Sequence, residues 1–213
     1  MTRLSLLLIL ACFAGCGPVG RSTATSNKTA QADPDPGWQV EPFTLTERSG
    51  RTVTDKDLRG TVWVASFIFT RCSGPCPSVS STVTRLQKEL KDEPGVKFVT
   101  FTVDPIRDDL GTLKEYANAR GADPEKWLFL TGDEAAIHKL MKESFKQAVG
   151  RKDGPDVKPG DEFAHSTRLM VVDRNGVVRG LYAGMPDERI PDSQADFDAN
   201  LARLKGRVKE LLK

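Results

Sequence analysis

The stretch that most constrains this chain is Thr61-Val62-Trp63-Val64-Ala65-Ser66-Phe67-Ile68-Phe69, an almost unbroken run of apolar, β-branched and aromatic residues. Without alternation of polar and apolar positions, such a run reads as a strand buried on both faces, as at the centre of a parallel sheet. A strand with two buried faces needs cover on both sides, so the domain is of the α/β class.

The residues that follow keep that pattern. Val79, Val83, Leu86 and Leu90 recur at helical spacing, so a helix is expected from about Pro77 to Lys91. Lys97 to Val103 is the next strand, Leu110, Leu113, Tyr116 and Ala117 mark a second helix, and Trp127 to Thr131 is a third strand. A helix through Ile137, Leu140, Met141 and Phe145 follows, and then a polar stretch without periodicity, Gly150 to Glu162, which reads as a long exposed loop. Arg168 to Val172 and Val177 to Tyr182 flank Asp173-Arg174-Asn175-Gly176, a hairpin signal. Phe197, Leu201, Leu204, Val208 and Leu211 form one stripe of a final helix that docks on the sheet. A thioredoxin-like fold, with a central mixed β-sheet flanked by helices, satisfies this order, and it sets the end of the first central strand against a helix N-terminus.

With 213 residues, 38% hydrophobic and 28% charged, the chain suffices for one ordinary domain. The net charge of +2, with both signs interspersed, gives no electrostatic case for nucleic acid. At the N-terminus, Arg3 precedes an apolar run from Leu4 to Ala14, the pattern of an export signal and too short for the roughly 20 apolar residues of a membrane span. Phe13-Ala14-Gly15-Cys16 is similar to the lipobox of bacterial lipoproteins, with Ile9-Leu10-Ala11-Cys12 as a weaker competitor. The expected organisation is a lipoprotein-type signal peptide over residues 1–15, lipidation at Cys16, a flexible linker over 16–37 and a folded domain over 38–213. The expected location is therefore extracytoplasmic and membrane-anchored.

Within the domain only Cys72 and Cys76 remain, in the turn Cys72-Ser73-Gly74-Pro75-Cys76-Pro77. A residue before proline is pushed out of the helical region, so Gly74-Pro75 keeps Cys72 in the loop. Pro77 suits the first helical turn, which makes Cys76 the residue that opens the helix. Unpaired N–H groups and the helix dipole then favour a thiolate at Cys76, and the two sulfurs are expected near the surface. A structural disulfide, a redox dithiol and a soft-metal site all fit the pair; a bridge across so short a loop gains little unfolded-state entropy. A metal needs a further donor, and the domain has two histidines. His138 falls within a helical pattern and reads as a packed or solvated helix residue, whereas His165 stands in a loop just before the hairpin. Two thiolates and an imidazole suit Cu(I), and a zinc site of the same composition also satisfies them.

Four segments in order, Phe67 to Pro77, Phe101 to Ala117, Trp127 to Asp133 and His165 to Gly184, resemble the Sco/SenC family of copper-binding, thioredoxin-like proteins that assist assembly of the binuclear copper centre of cytochrome c oxidase. The resemblance implies that Cys72, Cys76 and His165 ligate a copper ion, as Cu(I) and also as Cu(II). It also draws attention to Asp104 in Val103-Asp104-Pro105, as a turn or cap residue or as a group supporting the ligands from behind. Family turns commonly carry an acidic residue between the cysteines; here Ser73, Gly74 and Pro75 stand there. The implied function is copper metallochaperone, with the copper-site subunit of cytochrome c oxidase as acceptor and with an upstream copper donor and dithiol reductant. The alternative is a thiol-disulfide oxidoreductase acting on the cysteines of a copper-site partner.

Overall fold

A computed structural model describes residues 35–187, 189–191 and 193–213. The signal, Cys16 and most of the linker lie outside the described residues. Among the described residues no helix is long and apolar enough to cross a membrane.

The chain runs β1 (Trp38–Gln39), β2 (Thr44–Glu47), β3 (Thr52–Thr54), β4 (Val62–Ile68), α1 (Cys76–Glu89), β5 (Val96–Thr102), α2 (Leu110–Ala119), β6 (Trp127–Thr131), α3 (Glu134–Glu143), β7 (Val149–Arg151), β8 (Phe163–His165), β9 (Arg168–Val172), β10 (Val177–Ala183) and α4 (Ser193–Leu211). Eight strands form one mixed sheet in the order β1-β10-β9-β4-β5-β6-β2-β3, and β7 pairs with β8 separately. Strands β4, β5 and β6 are parallel at the centre, with the other pairings antiparallel.

Every residue of β4 is buried. Trp63, Ala65 and Phe67 pack into one core with Ile137, Leu140 and Met141 of α3, while Val62 and Val64 face Val79, Val83 and Leu86 of α1, Leu113 of α2 and Leu204 and Val208 of α4. The strand is thus covered on both sides, as its composition demands. Polar residues inside the sheet are matched: Trp127 Nε1 donates to Thr100 Oγ1 at 2.8 Å, and Thr100 Oγ1 lies 2.8 Å from Ser66 Oγ.

Three features differ from the sequence expectation. Strands β1, β2 and β3 add to both edges of the sheet through short segments that carry no clear periodicity. Helix α3 stops at Glu143, and Phe145 turns back beyond it to stack edge-on against Trp63 and Phe67, with ring centroids 6.0 and 5.3 Å apart. The Gly150 to Glu162 stretch is not wholly a loop. Gly150 and Arg151 belong to β7, which pairs with β8 in the register Val149↔His165, Gly150↔Ala164 and Arg151↔Phe163. The remainder is a finger projecting from that small ladder, and His165 ends its returning strand.

Candidate metal centre

Strand β4 ends at Ile68, and the chain turns through Cys72 before α1 opens at Cys76 with Pro77 in its first turn. Both cysteines are free thiols, and both are buried: Cys72 is 9% exposed and Cys76 only 1%. The expectation of sulfurs near the surface is therefore corrected: both cysteines pack in one buried cluster with Phe69 and Phe163.

Cys76 Sγ lies 3.3 Å from Nε2 of His165, although the two residues are 89 positions apart. The other ring nitrogen, Nδ1, is 3.0 Å from the carbonyl oxygen of Ser166. A carbonyl only accepts, so Nδ1 carries a proton, and in the neutral ring the lone pair sits on Nε2, facing the sulfur. Phe69 holds the imidazole edge-on at 5.8 Å between centroids and packs on Phe163 at 5.5 Å.

The thiolate forms at Cys72, not at Cys76 as the helix start suggested. The Cys76 thiol donates to Cys72 Sγ, and the N–H groups of Cys76 and Gly74 add to it, so despite burial the Cys72 thiol is lowered to about 4. Donating to that thiolate, and desolvated itself, Cys76 is pushed far above the ordinary thiol range. The physical reason is that one thiol proton serves only one direction: the sulfur that accepts it is lowered and the sulfur that gives it is raised.

Among the described residues no group of three or more His, Cys, Asp or Glu side chains is placed to hold a metal ion. Cys76 instead stands against both the Cys72 sulfur and the His165 nitrogen, two thiols and an imidazole linked by hydrogen bonds whose thiol protons a soft cation would displace.

The remaining sequence candidates fall elsewhere. His138 is a packed residue; its Nε2 donates to the Val103 carbonyl at 2.9 Å, and its ring meets Phe163 edge-on. Asp104 is buried and turns the chain after β5, its carbonyl accepting from the N–H groups of Arg107 and Asp108. Its carboxylate pairs with Arg107 at 3.0 Å, and Arg107 also faces Glu162 of the finger at 3.4 Å. Asp104 thus ties the turn after β5 to the finger. Asp108 and Gly160 were not singled out by the sequence. Asp108 is a buried carboxylate bonded to Thr70, and Gly160 accepts from the Ser73 N–H at 3.0 Å. No periodicity marks either, although Gly in a polar loop is the signal for a backbone of positive φ.

Comparison with known proteins identifies the family. The SCO1/SenC family description matches residues 31–195. A SCO1 protein homolog of Bacillus subtilis (strain 168) is 34% identical over 161 residues, covering 75% of this chain and 81% of that protein. The structure of BsSco, described as a member of the Sco family of cytochrome c oxidase assembly proteins with a disulfide switch, superposes with a TM-score of 0.62 at 32% identity, covering 79% of this chain and 96% of the other. ScoI of Bradyrhizobium japonicum, solved with copper bound, gives a TM-score of 0.57 at 28% identity, covering 76% and 99%. With two thiols and an imidazole brought together at the end of the central strand, a thioredoxin-like sheet behind them and a family match over most of its length, this chain belongs to the SCO1/SenC family.

Proposed function

We propose that this protein is a copper metallochaperone, carrying one copper ion on Cys72, Cys76 and His165 and delivering it to the copper-site subunit of cytochrome c oxidase. The observation that carries this reading is the 3.3 Å approach of His165 Nε2 to Cys76 Sγ with Nδ1 committed to the Ser166 carbonyl. That second hydrogen bond fixes the ring so that the nitrogen facing the thiols is the one able to bind a cation. The copper-bound ScoI structure and the oxidase-assembly role stated for BsSco support the same conclusion. The ion is cargo, so the site must release it as well as hold it. Cys16 would anchor the protein through lipid on the extracytoplasmic side, where an upstream donor supplies copper and a dithiol reductant keeps the pair reduced.

The experiment is an anaerobic Cu(I) titration of the reduced protein against a competing chelator, with His165→Ala and the double variant Cys72→Ser/Cys76→Ser alongside. One tightly held equivalent in the parent, lost in both variants, is the expected result. A parent that cannot compete for copper, or a His165→Ala variant that binds as well, would overturn the proposal.

A second reading rests on the shared proton between Cys72 and Cys76. A low thiolate beside a proton-holding thiol is the arrangement of a dithiol reductant: Cys72 attacks a partner disulfide, Cys76 resolves the mixed disulfide as Cys72 and Cys76 join, and the partner gains two electrons, one proton from Cys76 and one from water. This activity would survive His165→Ala.

A further inference from the structure

Asp108 lies outside the thiol and imidazole group, yet its side chain is aimed at the strand that delivers Cys72. The residue is 1% exposed. Its Oδ2 accepts from the Thr70 N–H at 3.0 Å and from the Thr102 hydroxyl at 2.5 Å, and its Oδ1 takes the Thr70 hydroxyl at 2.5 Å. Thr102 Oγ1 itself accepts from the Asp104 N–H at 3.0 Å, so its single proton is committed to Asp108. The main chain of Asp108 is anchored independently: its N–H donates to the Asp104 carbonyl at 2.9 Å, and its carbonyl accepts from the Thr131 hydroxyl of β6 at 3.2 Å.

The location gives these bonds meaning. The parallel ladder between β4 and β5 ends at the pair Ile68↔Thr102. One further bond, Val103 N–H to the Ile68 carbonyl at 2.8 Å, closes the ladder, and beyond it Asp108 takes over by linking Thr102 to Thr70, two residues before Cys72. The turn alone does not require this, because the carbonyl of Asp104 already closes it by accepting from the N–H groups of Arg107 and Asp108. A buried carboxylate is costly unless its lone pairs are filled, and here three donors fill them, two belonging to Thr70.

We infer that Asp108 is a positioning residue for the metal centre, fixing through Thr70 where the chain leaves β4 and hence where Cys72 stands relative to Cys76 and His165. The inference rests on the reading of Cys72 and Cys76 as the working thiols. Loosening Thr70 leaves the sulfurs and the imidazole in place as residues but not as a set, which weakens cation binding and alters the ease with which the thiols join.

The test compares the full chain with Thr70→Val, Thr70→Ser and Asp108→Asn in two measurements: Cu(I) retention against a competing chelator, and the midpoint at which the Cys72–Cys76 pair oxidises in glutathione buffers. Thr70→Val exchanges the hydroxyl for a methyl group of similar size, and Thr70→Ser keeps the hydroxyl without the methyl group. Expected are a roughly 10- to 100-fold loss of Cu(I) affinity in Thr70→Val and Asp108→Asn, the range found when groups behind metal ligands are removed. A displaced redox midpoint is expected in both, with parental values in Thr70→Ser. Parental behaviour of Thr70→Val in both measurements overturns the inference, as does a Thr70→Ser variant as impaired as Thr70→Val, which would assign the effect to packing. If Asp108→Asn fails to fold, the Thr70 pair decides. If the parent itself holds no Cu(I), the copper reading fails, and the redox midpoint alone tests the positioning role.

Discussion

The Ser73 N–H donates to the carbonyl of Gly160 at 3.0 Å, and this bond ties the cysteine turn to the finger whose returning strand ends in His165. The two halves of the candidate metal centre, 89 residues apart between Cys76 and His165, are therefore fastened to each other by main chain as well as by their own side chains. Glu162 strengthens the clasp, accepting from the Gly160 N–H at 2.8 Å while facing Arg107 at 3.4 Å.

Gly160 is required at that contact. Its φ is +88°, and a Cβ there would stand 2.8 Å from both the Arg71 carbonyl oxygen and Ser73 Oγ. Gly160→Ala is expected to cost about 1–3 kcal/mol through backbone strain and to lift the finger from the turn. Denaturant unfolding measures the first effect, and faster Cu(I) loss to a chelator measures the second; an alanine variant with parental stability would refute the clasp.

The pair of thiols predicts an unusual pH profile for alkylation. Because the Cys72 thiol is lowered to about 4 and that of Cys76 is raised, iodoacetamide should label Cys72 first. Its rate should stay nearly constant as pH falls from 8 to 6. An ordinary thiol of pKa about 8.5 would lose most of its thiolate, and hence most of its rate, over that span. Peptide mapping with a pH series checks both the site and the slope; preferential labelling of Cys76 would reverse the assignment.

His138 is expected to be dispensable for copper. His138→Ala removes the hydrogen bond to the Val103 carbonyl and the edge contact with Phe163, which should cost about 1–2 kcal/mol of stability while Cu(I) affinity stays at the parental value. A large loss of affinity at unchanged stability would show that the second histidine takes part.

Thr100 joins three central strands through one hydroxyl. Thr100→Val keeps the shape but strands the Trp127 indole N–H and the Ser66 hydroxyl in the core, an expected cost of about 1–3 kcal/mol in chemical unfolding. Cu(I) affinity should stay at the parental value.

How far the sequence reaches can be seen element by element. The central strands and the four helices were legible because each announces which of its faces is buried through the spacing of apolar residues, as in Val79, Val83 and Leu86. The three candidate ligands were legible as residue types. The short pair β7 and β8 was not, because three-residue strands around a polar loop have no period to read, and neither was the stop of α3 at Glu143, since Phe145 continues the apolar spacing while its backbone leaves the helix.

By itself, the sequence determined the α/β architecture and named Cys72, Cys76 and His165 as the side chains with metal chemistry, since both follow from residue type and local spacing. The tertiary structure alone decided that Nε2 of His165 meets Cys76, that Cys72 is the thiolate, and that Asp108 and Gly160 hold the turn. These depend on where strand pairing and burial bring distant segments together and on the direction in which an amide or a lone pair points, and such quantities exist only once the chain has closed on itself.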